Sequence, residues 1–274
     1  MLNSVNTNTG AMVALQNLNR TNSELGEVQN RINTGRKINS AKDNGAIWAI
    51  AQNSRATANG LDTVMESLQR GVSATDVAIS AGESVSDLLL QMKDKALAAS
   101  DTSLDTTART ALNEDFKALR DQVGKVVTNA DFNGINLIKT GATNLTALAN
   151  DKGSKLTVLA QAMGYGGTNI TFAATASFNS ATSASTMVAT LNTSIANVSA
   201  ALSKLGTGSK ALEGHYSFTV KLKDSIEAGI GNLVDADLAK ESARLQSLQT
   251  KQQLGIQALA IANAGSSNLL GLFR

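Results

Sequence analysis

Cysteine and proline are both absent from this chain of 274 residues. Without a thiol there is no disulfide, no zinc–thiolate centre and no cysteine nucleophile. Without proline, nothing of that kind breaks a helix from within, where one such residue costs about 3 kcal/mol. Slow prolyl isomerisation also drops out of folding. The one histidine, His215, excludes a His/His metal pair, an HExxH helix and a Ser-His-Asp arrangement. It lies in a helical pattern and reads as a packed or half-exposed imidazole. Aromatic residues make up 3% of the chain, too few for a thick core, so Ala, Leu, Ile and Val must supply the burial in thin helical layers. A formal net charge of +2 and the lack of any long block of like charges give no argument for nucleic acid as a partner. The nearest basic cluster, Arg31, Arg36, Lys37 and Lys42, reads as a solvated or subunit-contacting segment.

The chain begins Met1-Leu2-Asn3-Ser4-Val5-Asn6, with neither a basic start nor an apolar stretch, so no cleavable secretion signal is expected. An uncharged run over 252–273 has the length of a membrane span, but Gln252, Gln253, Gln257, Asn263, Ser266, Ser267 and Asn268 make insertion costly. It reads as an amphipathic packing helix, and no membrane partner is expected. Chemistry is equally scarce. Gly164-Tyr165-Gly166-Gly167 has no lysine placed for a phosphate cradle, and the pairs Glu114/Asp115 and Asp235/Asp237 sit in amphipathic helical patterns. No catalytic residue, metal or cofactor is expected, and the chain does not read as an enzyme.

What the chain does have is helical heptads at both ends about a dissimilar middle, which is the layout of an assembling rod. Leu15, Leu18, Leu25 and Ile32 fall on a 3-7-7 spacing, with Asn22 and Gln29 as polar slots in the same seam. Gly35 is placed to end that helix, and a polar connector follows over 36–44. A second helix is expected over about 47–99, its seam running through Leu61, Leu68, Val72, Thr75, Ile79, Gly82, Ser86 and Leu89. Gly60, Gly71 and Gly82 stand three helical turns apart, and read either as one face that a neighbour could approach closely or as weak helix positions. A third helix carries Leu112, Phe116, Leu119, Val123, Val126 and Ala130, and Phe132-Asn133-Gly134 makes a turn.

From 135 to about 185 the period changes. Short strands are expected at 156–159 and 169–172, enough for a small hairpin element and no more. A long seam then runs through Leu191, Ile195, Val198, Leu202, Leu205, Ser209, Leu212, Tyr216, Thr219, Lys223, Ile226, Ile230 and Leu233, a rod of about 65 Å. Asp235 or Asp237 is placed to cap a final helix, in which Leu238, Leu245, Leu248, Leu259 and Ala262 recur at heptad intervals. The fold class is therefore mainly α: long antiparallel helical rods in coiled-coil packing, formed by the N- and C-terminal regions, with a small β-hairpin between them.

The combination of motifs, in order, resembles the bacterial flagellins. Residues 31–43, Arg-Ile-Asn-Thr-Gly-Arg-Lys-Ile-Asn-Ser-Ala-Lys-Asp, are similar to the family's RLSSGxRINSAxDD signature, with Asn44 in place of the second Asp and Ile47-Trp48 departing from it. Phe132-Asn133-Gly134 is similar to the turn before the family's hairpin, residues 235–241 resemble DADxAxE, and 269–274 resemble the family's C-terminal ending. The resemblance covers roughly 1–140 and 190–274. It resembles the short alphaproteobacterial form, and the same resemblance implies switching between subunit packings, with Gly60, Gly71 and Gly82 as candidates for a close sliding contact. Leu89 to Lys95 departs from the stretch that an animal innate immune receptor reads in other members.

The resemblance implies an inner, lumen-lining coiled coil of 1–33 with 238–274, and a connector over 34–46. It further implies a helical rod domain over 47–237, including a hairpin region at 135–190, with no sizeable outer domain. It implies polymerisation through terminal residues Leu15, Leu18, Leu25, Ile32, Leu245, Leu248, Leu254, Ile256, Leu259, Ile261, Leu269, Leu270, Leu272 and Phe273. The connector residues it marks are Arg31, Gly35, Arg36, Ile38, Asn39 and Asp43. The function implied is a self-polymerising subunit of the flagellar filament, a propeller for swimming, secreted by the flagellar type III apparatus and located outside the cell. Its partners would be copies of itself, other flagellins, the filament cap, hook-junction proteins and an export chaperone. Thr168, Thr171, Ser177, Ser180, Thr182 and Thr190 are candidate O-glycosylation sites in the Ser/Thr-rich middle. Two rivals are a hook-filament junction protein, which shares terminal heptads, and a non-secreted coiled-coil adaptor.

Overall fold

The computed structural model describes residues 7–271, with side chains through 264. Five helices and one hairpin follow in order: α1 Thr9–Thr34, α2 Gly45–Ala99, α3 Thr106–Asn129, β1 Leu145–Leu148, β2 Lys155–Val158, α4 Ala181–Val234 and α5 Leu238–Gly271. Short polar side chains start the helices. Asn8 Oδ1 accepts from Ala11 N at 3.0 Å, Asn44 Oδ1 from Ile47 N at 3.1 Å, and Asp105 Oδ1 from Ala108 N at 2.8 Å. Of the two expected caps for α5 it is Asp237 that acts, accepting from Ala239 N and Lys240 N. Arg109 closes the far end of α2 by donating to the carbonyls of Ala99, Asp101 and Leu104.

Contacts gather the chain into two units, Met1–Ala56 with Ser225–Arg274, and Thr57–Asp224. The division falls inside α2 and α4.

In the unit of 57–224 one core runs among α2, α3, α4 and the hairpin, through Leu68, Leu89, Met92, Phe116, Ile138, Met163, Leu191, Leu205 and Leu212. The positions expected in the long seam of α4 are all buried or half-buried, and so are those of α2 and α3. Buried polar groups are paired. Asn136 donates to Val127 O and accepts from Ile138 N and Lys139 N, and Asn113 Oδ1 accepts from Phe178 N at 2.9 Å. The turn at Phe132–Ile135 has both backbone bonds, with positive φ at Asn133 and Gly134, the two-residue geometry that favours Asn-Gly.

Two expectations are corrected in this unit. The hairpin pairs β1 with β2 in register Leu145↔Val158 to Leu148↔Lys155, so 155–158 is a strand and 169–172 is not. Ile170 and Phe172 do alternate inward, but Thr171 N bonds to Ser194 Oγ on α4 rather than to a neighbouring strand. Also, α4 begins ten residues before Leu191, taking Thr182 and Thr190 into a helix.

Gly60, Gly71 and Gly82 do share a face, but what approaches it belongs to the same chain. A Cβ would meet Asp151 at Gly60, Leu212, Ala147 and Leu145 at Gly71, and Leu202 and Met163 at Gly82. The close approach is internal packing, and the face is filled without a second subunit.

Candidate functional site

α1 and α5 pack side by side in opposite directions. Leu18 lies against Gly255, Asn22 accepts from Gln252 Nε2 at 2.7 Å, and Asn8 Nδ2 donates to Ala262 O at 2.7 Å. Their shared seam alternates by three and four. Ala11, Ala14, Leu18, Thr21, Leu25, Val28 and Ile32 of α1 face Leu245, Leu248, Gln252, Gly255, Leu259 and Ala262 of α5, with Glu241 extending that row.

The expected terminal residues divide between two faces. Leu18, Leu25, Ile32, Leu245, Leu248 and Leu259 lie in the seam, whereas Leu15, Leu254, Ile256 and Ile261 point away, the last of them 74% exposed. The slots between Leu18, Leu25 and Ile32 are filled by Thr21 and Val28, and not by Asn22 and Gln29. A strict 7-spacing fixes one row of a heptad and leaves open whether the second row lies three or four residues on. Counting apolar residues would have found Val28. Met12 and Val13 join the outward set, at 63% and 57% exposed. Leu269, Leu270, Leu272 and Phe273 lie outside the residues whose side chains are described.

One ion pair interrupts the seam. Arg31, in the last turn of α1, donates from Nη1 to Glu241 Oε1 at 3.3 Å in the first turn of α5, and from Nη2 to Glu27. Arg31 thus belongs to the helix end rather than to the connector. Glu241 is 8% exposed, and its second oxygen has no hydrogen-bond partner.

The connector itself is built from backbone. Gly35, at φ 68°, ends α1 in the left-handed region. Lys37 N donates to Val234 O at 2.7 Å and Ala236 N to Gly35 O at 2.9 Å, so the exits of α1 and α4 are tied together. Ile38 is buried with Ala51, Ile230 and Val234, against Ile47, Trp48, Ile226 and Leu233. Asp43 Oδ2 accepts from Asn39 N, Ser40 N and Ser40 Oγ. The backbone amide of Ser40, and then that of Asn39, holds this carboxyl below its ordinary value. Arg36, Lys37 and Lys42 are exposed.

Elsewhere among the described residues no arrangement suggests chemistry. A cavity of about 270 Å³ beside Tyr165 has Lys139 as the one charged residue in its lining. His215, half-buried, bonds through Nε2 to Ala149 O at 2.7 Å and braces the hairpin turn. Among the described residues there is no group of three or more His, Cys, Asp or Glu placed to hold a metal, and no helix long and apolar enough to cross a membrane. Of the candidate modification sites, Thr168, Thr171, Ser177, Ser180 and Thr182 are exposed. The hydroxyls of Thr171 and Ser180 are engaged with Ser194 and Ser183, and half-buried Thr190 donates to Thr186 O.

Comparison with known proteins matches the bacterial flagellin N-terminal helical region over 5–143 and the bacterial flagellin C-terminal helical region over 188–273. Flagellin FljM of Caulobacter vibrioides is 58% identical, over 100% of this chain and 99% of that protein. Among solved structures, Bacillus cereus flagellin is similar with a TM-score of 0.50 at 20% identity, covering 56% of this chain and 88% of its own. A putative flagellar hook-associated protein from Vibrio parahaemolyticus is similar with a TM-score of 0.59 at 16% identity, covering 70% and 100%. At such identities the two structures speak to the fold alone.

Proposed function

The chain belongs to the bacterial flagellin family, and from that premise we propose how its parts divide the work of a filament subunit. The protein is a structural subunit that polymerises with copies of itself into the helical filament of the bacterial flagellum, which drives swimming outside the cell. α1 and α5 are the polymerising element. The observation that carries this is the set of outward apolar residues Met12, Val13, Leu15, Leu254, Ile256 and Ile261, left uncovered on both flanks of the closed seam. Burying one such side chain contributes about 1.5–3 kcal/mol, a gain that copies of the chain can supply and a lone pair of helices cannot. The seam is broken by Thr21, Gln252 and Gly255, so α1 and α5 are marginal on their own and order on assembly.

Export by the flagellar type III apparatus, growth under a cap, contact with hook-junction proteins and an export chaperone docked on α5 complete this reading, by family likeness. The rival junction role has only a shared fold in its favour. The adaptor role requires terminal helices ordered in a chain that stays inside the cell.

Short filament seeds added to dissociated monomer test the reading by electron microscopy. Tubes should grow from the full chain and not from a chain lacking 255–274. Equal growth of both would overturn the role of α5, and slow amide exchange in α1 and α5 of the monomer would overturn ordering on assembly.

O-glycosylation of the middle rests on the exposed hydroxyls of Thr168, Ser177 and Thr182. Native filament protein should then weigh more than 28.3 kDa. A native mass equal to that of the bare chain would dismiss it.

A further inference from the structure

The α1–α5 seam repeats so regularly that its apolar residues cannot fix its own register. Sliding α1 by seven residues moves Ala11 onto the place of Leu18, Leu18 onto that of Leu25 and Leu25 onto that of Ile32, and apolar still meets apolar. The amide bond of Asn22 with Gln252 constrains the register little, because it is solvent-exposed: Leu15 would take the place of Asn22 in that slip, and Gln29 in the opposite one.

We propose that Arg31 and Glu241 are the register key of the terminal pair, positioning residues that, together with the connector bonds of Lys37 and Ala236, favour the observed alignment of α1 on α5 over both neighbouring ones. This deepens the reading of α1 and α5 as the polymerising element, and it rests on that reading. In the observed alignment Arg31 faces Glu241. Each charge sits where its own helix favours it, Arg31 in the last turn of α1 and Glu241 in the first turn of α5. A slip of one heptad in one direction brings Glu24, seven residues before Arg31, opposite Glu241, carboxylate against carboxylate. A slip in the other direction moves Arg31 to the half-exposed place that Glu24 now holds beside Leu248, and leaves Glu241 facing a position beyond the end of α1. Both alternatives leave the buried Glu241 carboxylate without its cation.

Stability alone does not account for the pair. Glu241 is buried with one oxygen unbonded, and a buried ion pair of that kind returns little over an apolar contact of similar size. A polar group inside a heptad seam is instead a known way of choosing one register at a cost in stability.

The absence of cysteine allows a direct test on full-length chains in filaments. A Cβ at Gly255 would lie 3.9 Å from that of Leu18, within the range of about 3.5–4.5 Å that a disulfide needs. Gly255→Cys with Leu18→Cys therefore reports the observed register. Gly255→Cys with Ala11→Cys reports the slip that meets Glu24, and with Leu25→Cys the opposite slip. Oxidised filaments are dissociated, and crosslinks within one chain are separated from those between chains by non-reducing electrophoresis.

Only the 18–255 product should form in the parent. Under Glu241→Arg the new guanidinium repels Arg31 and finds Glu24 one heptad away, so the product should move to 11–255. Adding Arg31→Glu offers the new guanidinium an acid in both alignments, so the 18–255 product should reappear beside 11–255. Under Glu241→Gln both products should form, and this variant decides the matter if Glu241→Arg grows no filament. An 18–255 product unchanged from the parent in every variant that grows would overturn the register key. Failure of the parent itself to grow from seeds would count instead against the assembly reading.

Discussion

Between residues 57 and 224, Leu68, Leu89, Phe116 and Leu212 are wholly enclosed, because three helices and a hairpin surround them. Along α1 and α5, Val28 and Leu248 are the described apolar residues that reach burial, and Met12, Leu254, Ile256 and Ile261 are more than half exposed. Both regions are written in the same heptads, although seven of the nine aromatic residues fall within 57–224 and none in α1 or α5. They differ in how many neighbours each helix has. A helix in the larger unit can bury two stripes, whereas a helix in a lone pair buries one and leaves the other to whatever comes next. Apolar periodicity therefore announces that a helix will be covered, and the count of elements around it decides whether the cover comes from the same chain.

Substitutions that separate the two kinds of stripe sharpen this contrast. Replacing Leu254, Ile256 and Ile261 together with serine should have the largest effect, and on assembly alone. At about 1.5–3 kcal/mol for each large side chain that a neighbour would bury, the critical concentration for filament growth should rise by orders of magnitude, read by sedimentation. Monomer unfolding should stay within about 0.5 kcal/mol of the parent, as for surface changes generally. A comparable loss in monomer stability would mean that these residues already pack within the chain. Phe116→Ala makes the opposite cut. It removes a fully buried ring, packed at 5.1 Å and tilted by 60° against Phe178, and should cost about 3–5 kcal/mol by calorimetry of the monomer. The outward apolar residues of α1 and α5 are untouched, so monomer kept cold enough to stay folded should still extend seeds.

The smallest effect is local and depends on pH. Asp43 titrates below its usual 3.8 in the folded connector, because the backbone amides of Ser40 and Asn39 bond to its carboxylate. Its contribution is therefore complete above that ordinary value and is lost as pH falls through the lowered one. The Ser40 amide resonance should follow this titration while amides of the 57–224 core stay still. Movement of both together would break the independence of the two regions.

Much of this was legible in the sequence where one helix repeats a pattern for many turns. Every seam position of α4 from Leu191 to Leu233 is buried or half-buried, since a long amphipathic rod averages out single ambiguities. Short stretches were less legible. Leu145-Thr146-Ala147-Leu148 carries little strand signal by composition, and Ile170-Thr171-Phe172 carries more, yet the first is the strand. The difference lies in which backbone N–H finds a strand and which finds a serine, a tertiary fact that no local pattern contains. The α1 seam shows a third kind of limit. Leu18, Leu25 and Ile32 pointed to the right face, while Thr21 and Val28, rather than Asn22 and Gln29, complete it. The Arg31–Glu241 pair was invisible because its members stand 210 residues apart.

That same separation governs the connector. Lys37 and Ile38 give their amide hydrogens to the carbonyl of Val234, and Ala236 gives its own back to Gly35. A chain that emerges from its N-terminus has made nearly nine-tenths of its length before these acceptors and donors exist. Until then the backbone of 35–38 has only water to bond, and α1 has no α5 to lie against. The helix that appears first is thus among the last to find its place.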